Sequence, residues 1–174
     1  MSRPNARRFE EVVLPHLDEA YTLARYLVRD EHDAQDIVQD ATLRALRHFE
    51  GFRDGDARAW LLTIVRNCCF THRKRHRVDR SSVSLTDDVV AGIVGSRATD
   101  QLAIESSERE RLHAAVMTLP PELREVIVLR ELNDLSYREI SDVVGIPMGT
   151  VMSRLSRARE RLAGALGAGA KEAS

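Results

Sequence analysis

Residues 119–162 read LPPELREVIVLRELNDLSYREISDVVGIPMGTVMSRLSRARERL, and the punctuation within them decides the fold. Ser136 with Glu139 three positions later forms a capping box at the head of a short helix. Gly145 ends that helix, because a residue without a Cβ accepts a left-handed conformation readily. Pro147 opens the next helix, its fixed φ suiting a first turn, and that helix is predicted to continue to about residue 165. A short helix, a tight turn and a longer second helix make a helix-turn-helix. At 100° per residue, Val151, Leu155, Ala158 and Leu162 share one narrow stripe that must face a core. Gly149, Ser153, Ser156 and Glu160 then point outward, with Met152 and Arg157 on the flanks of the outward face. Short polar groups and one Arg suit the reading of base edges in a groove. Arg154 lies nearer the core stripe and is a candidate for a phosphate or an intramolecular carboxylate.

Working back from this motif, helical patterning covers residues 122–132 and, before Pro120 and Pro121, residues 100–119. Between 78 and 99 the chain turns to Ser, Asp, Gly and Val with no aromatic and no sustained period, which predicts a linker. Further upstream, Phe9, Val12, Val13, Leu17, Ala20, Tyr21, Ala24, Leu27 and Val28 advance in helical steps of three and four, with Pro15 dividing the pattern in two. Two more helices follow, at 33–49 and 57–77, separated by the loop from Gly51 to Gly55. The expected architecture is all-α: one small helical domain over 1–77, a flexible linker over 78–99, and a second small helical domain over 100–174.

Composition agrees. In 174 residues, 43% are hydrophobic, 30% charged and only 5% aromatic, the balance of a globular chain that favours helix over sheet. The formal net charge of −1 conceals a strong asymmetry. Residues 30–40 carry Asp30, Glu31, Asp33, Asp36 and Asp40 without a Lys or Arg, whereas residues 66–80 carry Arg66, Arg73, Lys74, Arg75, Arg77 and Arg80 against Asp79 alone. Two patches of opposite sign imply two different partners. Cys68 and Cys69 are adjacent, a spacing that suits neither a disulfide framework nor a zinc pattern, and they read as small buried hydrophobes. The absence of a membrane-length apolar run, and of an apolar core behind Arg3, Arg7 and Arg8, predicts a cytoplasmic protein without membrane insertion.

The two patches have texture. On the helix over 33–49, Ile37, Val38, Ala41, Ala45 and Phe49 face inward, while Asp36, Gln39, Asp40, Leu43 and Arg47 face outward. A Leu among carboxylates is either a plain solvated face or the apolar centre of a contact with a basic protein surface. On the helix over 57–77, Trp60, Leu61, Ile64, Val65 and Cys68 face inward; Thr63, Arg66, Phe70, Arg73, Lys74 and Arg77 project, with Asn67 at the edge. Cations interleaved with an exposed aromatic suit single-stranded nucleic acid, phosphates taking the charge and an unstacked base the ring. A basic helix end carrying a stray Phe is the plainer alternative.

With these residues in view, the chain resembles the extracytoplasmic-function sigma factors of bacterial RNA polymerase, small factors that keep only regions two and four. The resemblance rests on DAQDIVQDATLRAL (33–46), AWLLTIVRN (59–67) and the stretch 119–162, in that order. It implies transcription initiation on core RNA polymerase and promoter DNA, with no catalytic residue and no cofactor, and a partner anti-sigma factor. By position it implies that Asp36, Gln39, Asp40 and Leu43 dock on polymerase. It implies that Arg53, Asp54, Arg66, Asn67, Phe70, Arg73, Lys74 and Arg77 meet the minus-ten element, and that Thr150, Met152, Ser153, Ser156 and Arg157 meet the minus-thirty-five element. The segment 72–76 departs from the family, where a longer basic and aromatic stretch is frequent, by interleaving His72 and His76.

Two other readings compete. A helix-turn-helix regulator that binds operator DNA without polymerase explains 119–162 but leaves both charged patches unassigned. A small helical enzyme lacks a Gly-rich phosphate loop, a metal-ligand spacing or a nucleophile constellation. Among six histidines only His72 and His76 have ligand spacing, and the flanking Arg and Lys residues would repel a cation, so no metal is expected.

Overall fold

A computed structural model describes the backbone of residues 3–52, 55–81 and 100–172, and the side chains of 5–52, 55–76 and 108–167. Arg53, Asp54 and the segment read as a linker, apart from its helical first residues, lie outside the described residues, as does the side chain of Arg77. Among the described residues all regular structure is helical. The helices are α1 (Arg3–Val13), α2 (Leu17–Val28), α3 (Glu31–His48), α4 (Ala57–Ser81), α5 (Asp100–Thr118), α6 (Pro121–Glu131), α7 (Tyr137–Val144) and α8 (Met148–Glu172). Short 3₁₀ turns at Leu14–His16 and Phe49–Gly51 interrupt the run, the first where Pro15 removes a backbone donor.

The first domain packs α2, α3 and α4 on one another, with α1 laid against α4. Leu23, Leu27, Ala34, Ala41, Ala45, Leu61, Leu62 and Val65 form its centre. At one end Phe49 stands edge-on to Phe9 with ring centroids 5.2 Å apart, and Phe52 tilts against Trp60 at 4.8 Å. This aromatic cluster anchors the approach to α4, whose start is capped by Asp56 Oδ1 accepting from the Ala59 amide at 3.2 Å. The start of α3 is held likewise by Asp30, whose carboxylate accepts from the Asp33 amide at 2.9 Å. In the second domain α8 packs on α6 and α7. The capping box of Ser136 and Glu139 is present, and Gly145 ends α7 at φ +72°.

The two domains share one hydrophobic core. The helix at the junction is α6, which touches α2 on one side and α7 and α8 on the other, while α7 also packs against α4. Every residue from Leu123 to Leu129 is buried, as a helix enclosed on all sides requires. Two helices run past their predicted ends: α4 continues four residues beyond Arg77, and α8 continues beyond 165 to Glu172.

Candidate nucleic-acid and polymerase interfaces

The capping box positions the helix-turn-helix. Ser136 Oγ accepts from the Glu139 amide at 3.2 Å, and the Glu139 carboxylate accepts from the Ser136 amide at 2.6 Å. Those side-chain and backbone hydrogen bonds hold the Glu139 carboxyl below its ordinary range, with Asp56 and Arg58 adding smaller contributions. Ser141 Oγ donates to the Ile146 carbonyl at 2.5 Å and fixes the turn. In α8, Val151, Leu155 and Ala158 are buried and Leu162 is half-buried, so the predicted stripe is the inner one. Met152, Ser153, Ser156 and Arg157 are exposed, Met152 by 47%, and Thr150 is half-buried at the head of the helix.

On α3, Asp36, Gln39, Asp40 and Leu43 all face solvent, Leu43 with 48% of its surface exposed. Asp40 pairs with Arg44 one turn on, at 2.8 Å. The ridge therefore keeps an exposed apolar residue one turn beyond exposed carboxylates, as its wheel predicts.

The face of α4 is divided. Asn67 and Lys74 are exposed, Arg73 is half-buried, and Phe70 is 38% exposed. Arg66 turns inward toward the second domain, where its guanidinium donates to both carboxylate oxygens of Glu125 at 2.8 and 3.3 Å. The same guanidinium lies 4.6 Å from the Phe70 ring centroid. Glu125 also accepts from Arg154 at 3.3 Å, so the intramolecular carboxylate is the partner that the wheel position of Arg154 allows. Burial pushes both thiols up, Cys69 to about 12, so neither is a ready nucleophile.

Sequence reasoning missed the residues that join the domains. Arg124 is buried and donates to the carbonyls of Tyr26, Val116, Met117 and Leu119. Burial, with Arg29 and Arg73 nearby, lowers its pKa to about 10. Asn133 donates to the Glu19 carbonyl at 3.0 Å, and its Oδ1 is buried without a protein partner. The signal for this junction was the run of apolar residues 126–129, which leaves α6 no solvent face.

The fold is that of a two-domain helical protein carrying a helix-turn-helix. The description "Sigma-70 region 2" matches residues 12–78 and "Sigma-70, region 4" matches residues 109–162. The RNA polymerase sigma-H factor of Pseudomonas aeruginosa is 35% identical over 179 residues, covering 95% of this chain and 90% of that protein. The ECF RNA polymerase sigma factor SigE of Mycolicibacterium smegmatis is 33% identical over 154 residues, covering 88% of this chain, which spans only 60% of that protein's length. Among solved structures, the sigma factor RpoE in complex with the anti-sigma factor NepR from Bartonella quintana superposes with a TM-score of 0.74 at 29% identity, covering 92% of this chain and 98% of that one. CnrH in complex with the cytosolic domain of CnrY gives a TM-score of 0.68 at 27% identity, covering 94% and 90%. The chain belongs to the sigma-70 family, among the extracytoplasmic-function RNA polymerase sigma factors. Regulation of an operator without polymerase gives way to this assignment.

Proposed function

We propose that the chain directs core RNA polymerase to promoters through three separate faces, as a binding factor and not an enzyme. The ridge of Asp36, Gln39, Asp40 and Leu43 docks on a basic polymerase surface. The α4 face of Asn67, Phe70, Arg73, Lys74 and Arg77, with Arg53 and Asp54 before it, captures the opened minus-ten strand, while Arg66, expected on the same face, is held by Glu125 and is left out of it. Thr150, Met152, Ser153, Ser156 and Arg157 read the minus-thirty-five element in the major groove. The domain boundaries follow as 1–77 and 100–174, with 78–99 between them.

The observation that carries this reading is the division of α8 into a buried apolar stripe and an exposed face of short polar groups and one Arg, behind a fully capped turn. Further support comes from the exposed Leu43 one turn beyond exposed carboxylates, which suits a complementary basic partner. A cytoplasmic site of action is part of the proposal; no helix among the described residues is long and apolar enough to cross a membrane. An anti-sigma factor is proposed as a further partner, since the superposed sigma factor RpoE was solved in complex with the anti-sigma factor NepR, and CnrH with the cytosolic domain of CnrY.

The test is reconstitution with core polymerase and sequencing of the transcripts made from genomic DNA. A defined set of start sites sharing upstream elements is the expected result. The double variant Asp36→Arg, Asp40→Arg should lose several kcal/mol of polymerase affinity, roughly 2 or more per desolvated pair. Unchanged affinity would remove the docking assignment.

A further inference from the structure

The histidines of α4 do not stand alone. His72 Nε2 lies 3.0 Å from His76 Nε2 and 3.4 Å from Asp33 Oδ1, at the first turn of α3. All three ligand atoms fall within 4.8 Å of one another. Asp33 and His72 are half-buried and His76 is exposed.

Valence makes this arrangement informative. A ring nitrogen holds either one proton or one lone pair in the ring plane. If His72 Nε2 carries a proton, that single proton must be divided between Asp33 Oδ1 and a bare His76 Nε2 in a three-centre bond that is weak to each. If it is bare, it can accept from His76, but its lone pair then faces a carboxylate oxygen. Hydrogen bonding alone cannot give that nitrogen two good partners at once. A cation among the three atoms satisfies every lone pair together.

The spacing suits such an ion. Zinc with nitrogen and oxygen ligands at about 2.0 to 2.2 Å in tetrahedral geometry holds its ligand atoms about 3.4 Å apart. The 3.4 Å between His72 and Asp33 matches that value, and the 3.0 Å between the two histidines is somewhat shorter. Histidines at i and i+4 lie on one face of a helix, and the carboxylate comes from a second helix, so the set is not one surface charge cluster. The Asp33 carboxylate, from the first turn of α3, supplies the negative charge that the flanking cations of α4 lack.

We propose that Asp33, His72 and His76 form a binding site for one divalent transition-metal ion of the zinc class, with the fourth position open to solvent. Such an ion clips the start of α3 to the basic half of α4. The site stands on its own geometry and does not depend on the promoter reading.

The experiment uses the full chain, treated with chelator and titrated with zinc chloride against a chromophoric indicator. Cobalt chloride serves as a second probe whose visible absorption reports coordination geometry. One ion per chain and a higher melting temperature with zinc are expected. His76→Ala, a change at an exposed position, should lower affinity at least tenfold, in the range that loss of a metal-supporting group produces. Asp33→Asn should act in the same direction. His48→Ala, at the far end of α3, should change nothing. Equal affinity in wild type and His76→Ala overturns the site, as does an equal loss in His48→Ala or the absence of binding at millimolar zinc.

Discussion

The outward faces of α4 and α8 are built from similar ingredients, Arg with short polar side chains and one large apolar group, yet they stand in different states. On α8, Arg157 is exposed and, among the described residues, its guanidinium reaches only the Ser153 carbonyl of its own helix, at 3.4 Å. On α4, Arg66 is spent on Glu125, a buried residue of the other domain. A guanidinium that holds both oxygens of a carboxylate cannot at the same time hold a phosphate. Electrostatic role is thus set by what the rest of the chain places opposite a residue, and two Arg residues with comparable wheel positions can differ completely in availability.

Breaking the comparison starts with Glu125. Glu125→Ala leaves Arg66 and Arg154 without their shared carboxylate, and removing one partner from a buried ion pair costs about 3–5 kcal/mol. Urea unfolding should show that loss; a change below about 1 kcal/mol would mean that Arg66 is not held. The next test sharpens the α8 side. Arg157→Ala should cost about 1–3 kcal/mol at the preferred upstream element and relax the base choice at one position. Competition binding of the polymerase complex to a randomised element measures it, and an equal loss on all sequences would make Arg157 a backbone clamp.

On α4, Phe70→Ala should remove stacking of about 1–3 kcal/mol on a captured base. The change should reduce promoter opening, read by permanganate reactivity, and leave duplex binding nearly intact. The smallest effect concerns the cap beneath the reading helix. The Ser136 hydrogen bonds depress the Glu139 pKa, so the stabilisation is complete above the ordinary glutamate range and is lost as pH falls through the depressed value. Glu139→Gln should therefore be less stable than wild type at neutral pH, with the difference shrinking in acid. A constant difference across that range would show that charge plays no part in the cap.

Much of this was legible in the sequence because it is local. The capping box, Gly145 and Pro147 act within a few residues of one another; the structure has the first two as read, and Pro147 stands immediately before α8, its carbonyl accepting from the Val151 amide. The faces of α3 and α8 follow from a period of 3.6 and stand, Leu43 and Met152 included, whereas on α4 Arg66 turns inward from its predicted outward place. What pairs across distance was not legible. Arg66 and Glu125 are 59 positions apart, and Arg124 and Tyr26 are 98 apart; periodicity says which face is apolar, not which helix covers it. Asp33 was read only as part of an acidic patch, and its place beside His72 depends on how α3 and α4 cross.

Arg124 has a consequence for how the molecule comes apart. The last carbonyls of any helix lack partners within it, and here one guanidinium serves Tyr26, near the end of α2, together with Val116 and Met117, near the end of α5. Fraying of either helix end gives up hydrogen bonds that the other end shares, so amide exchange at the two places should slow and quicken together. Helix ends contributed by different domains thus belong to a single cooperative opening unit.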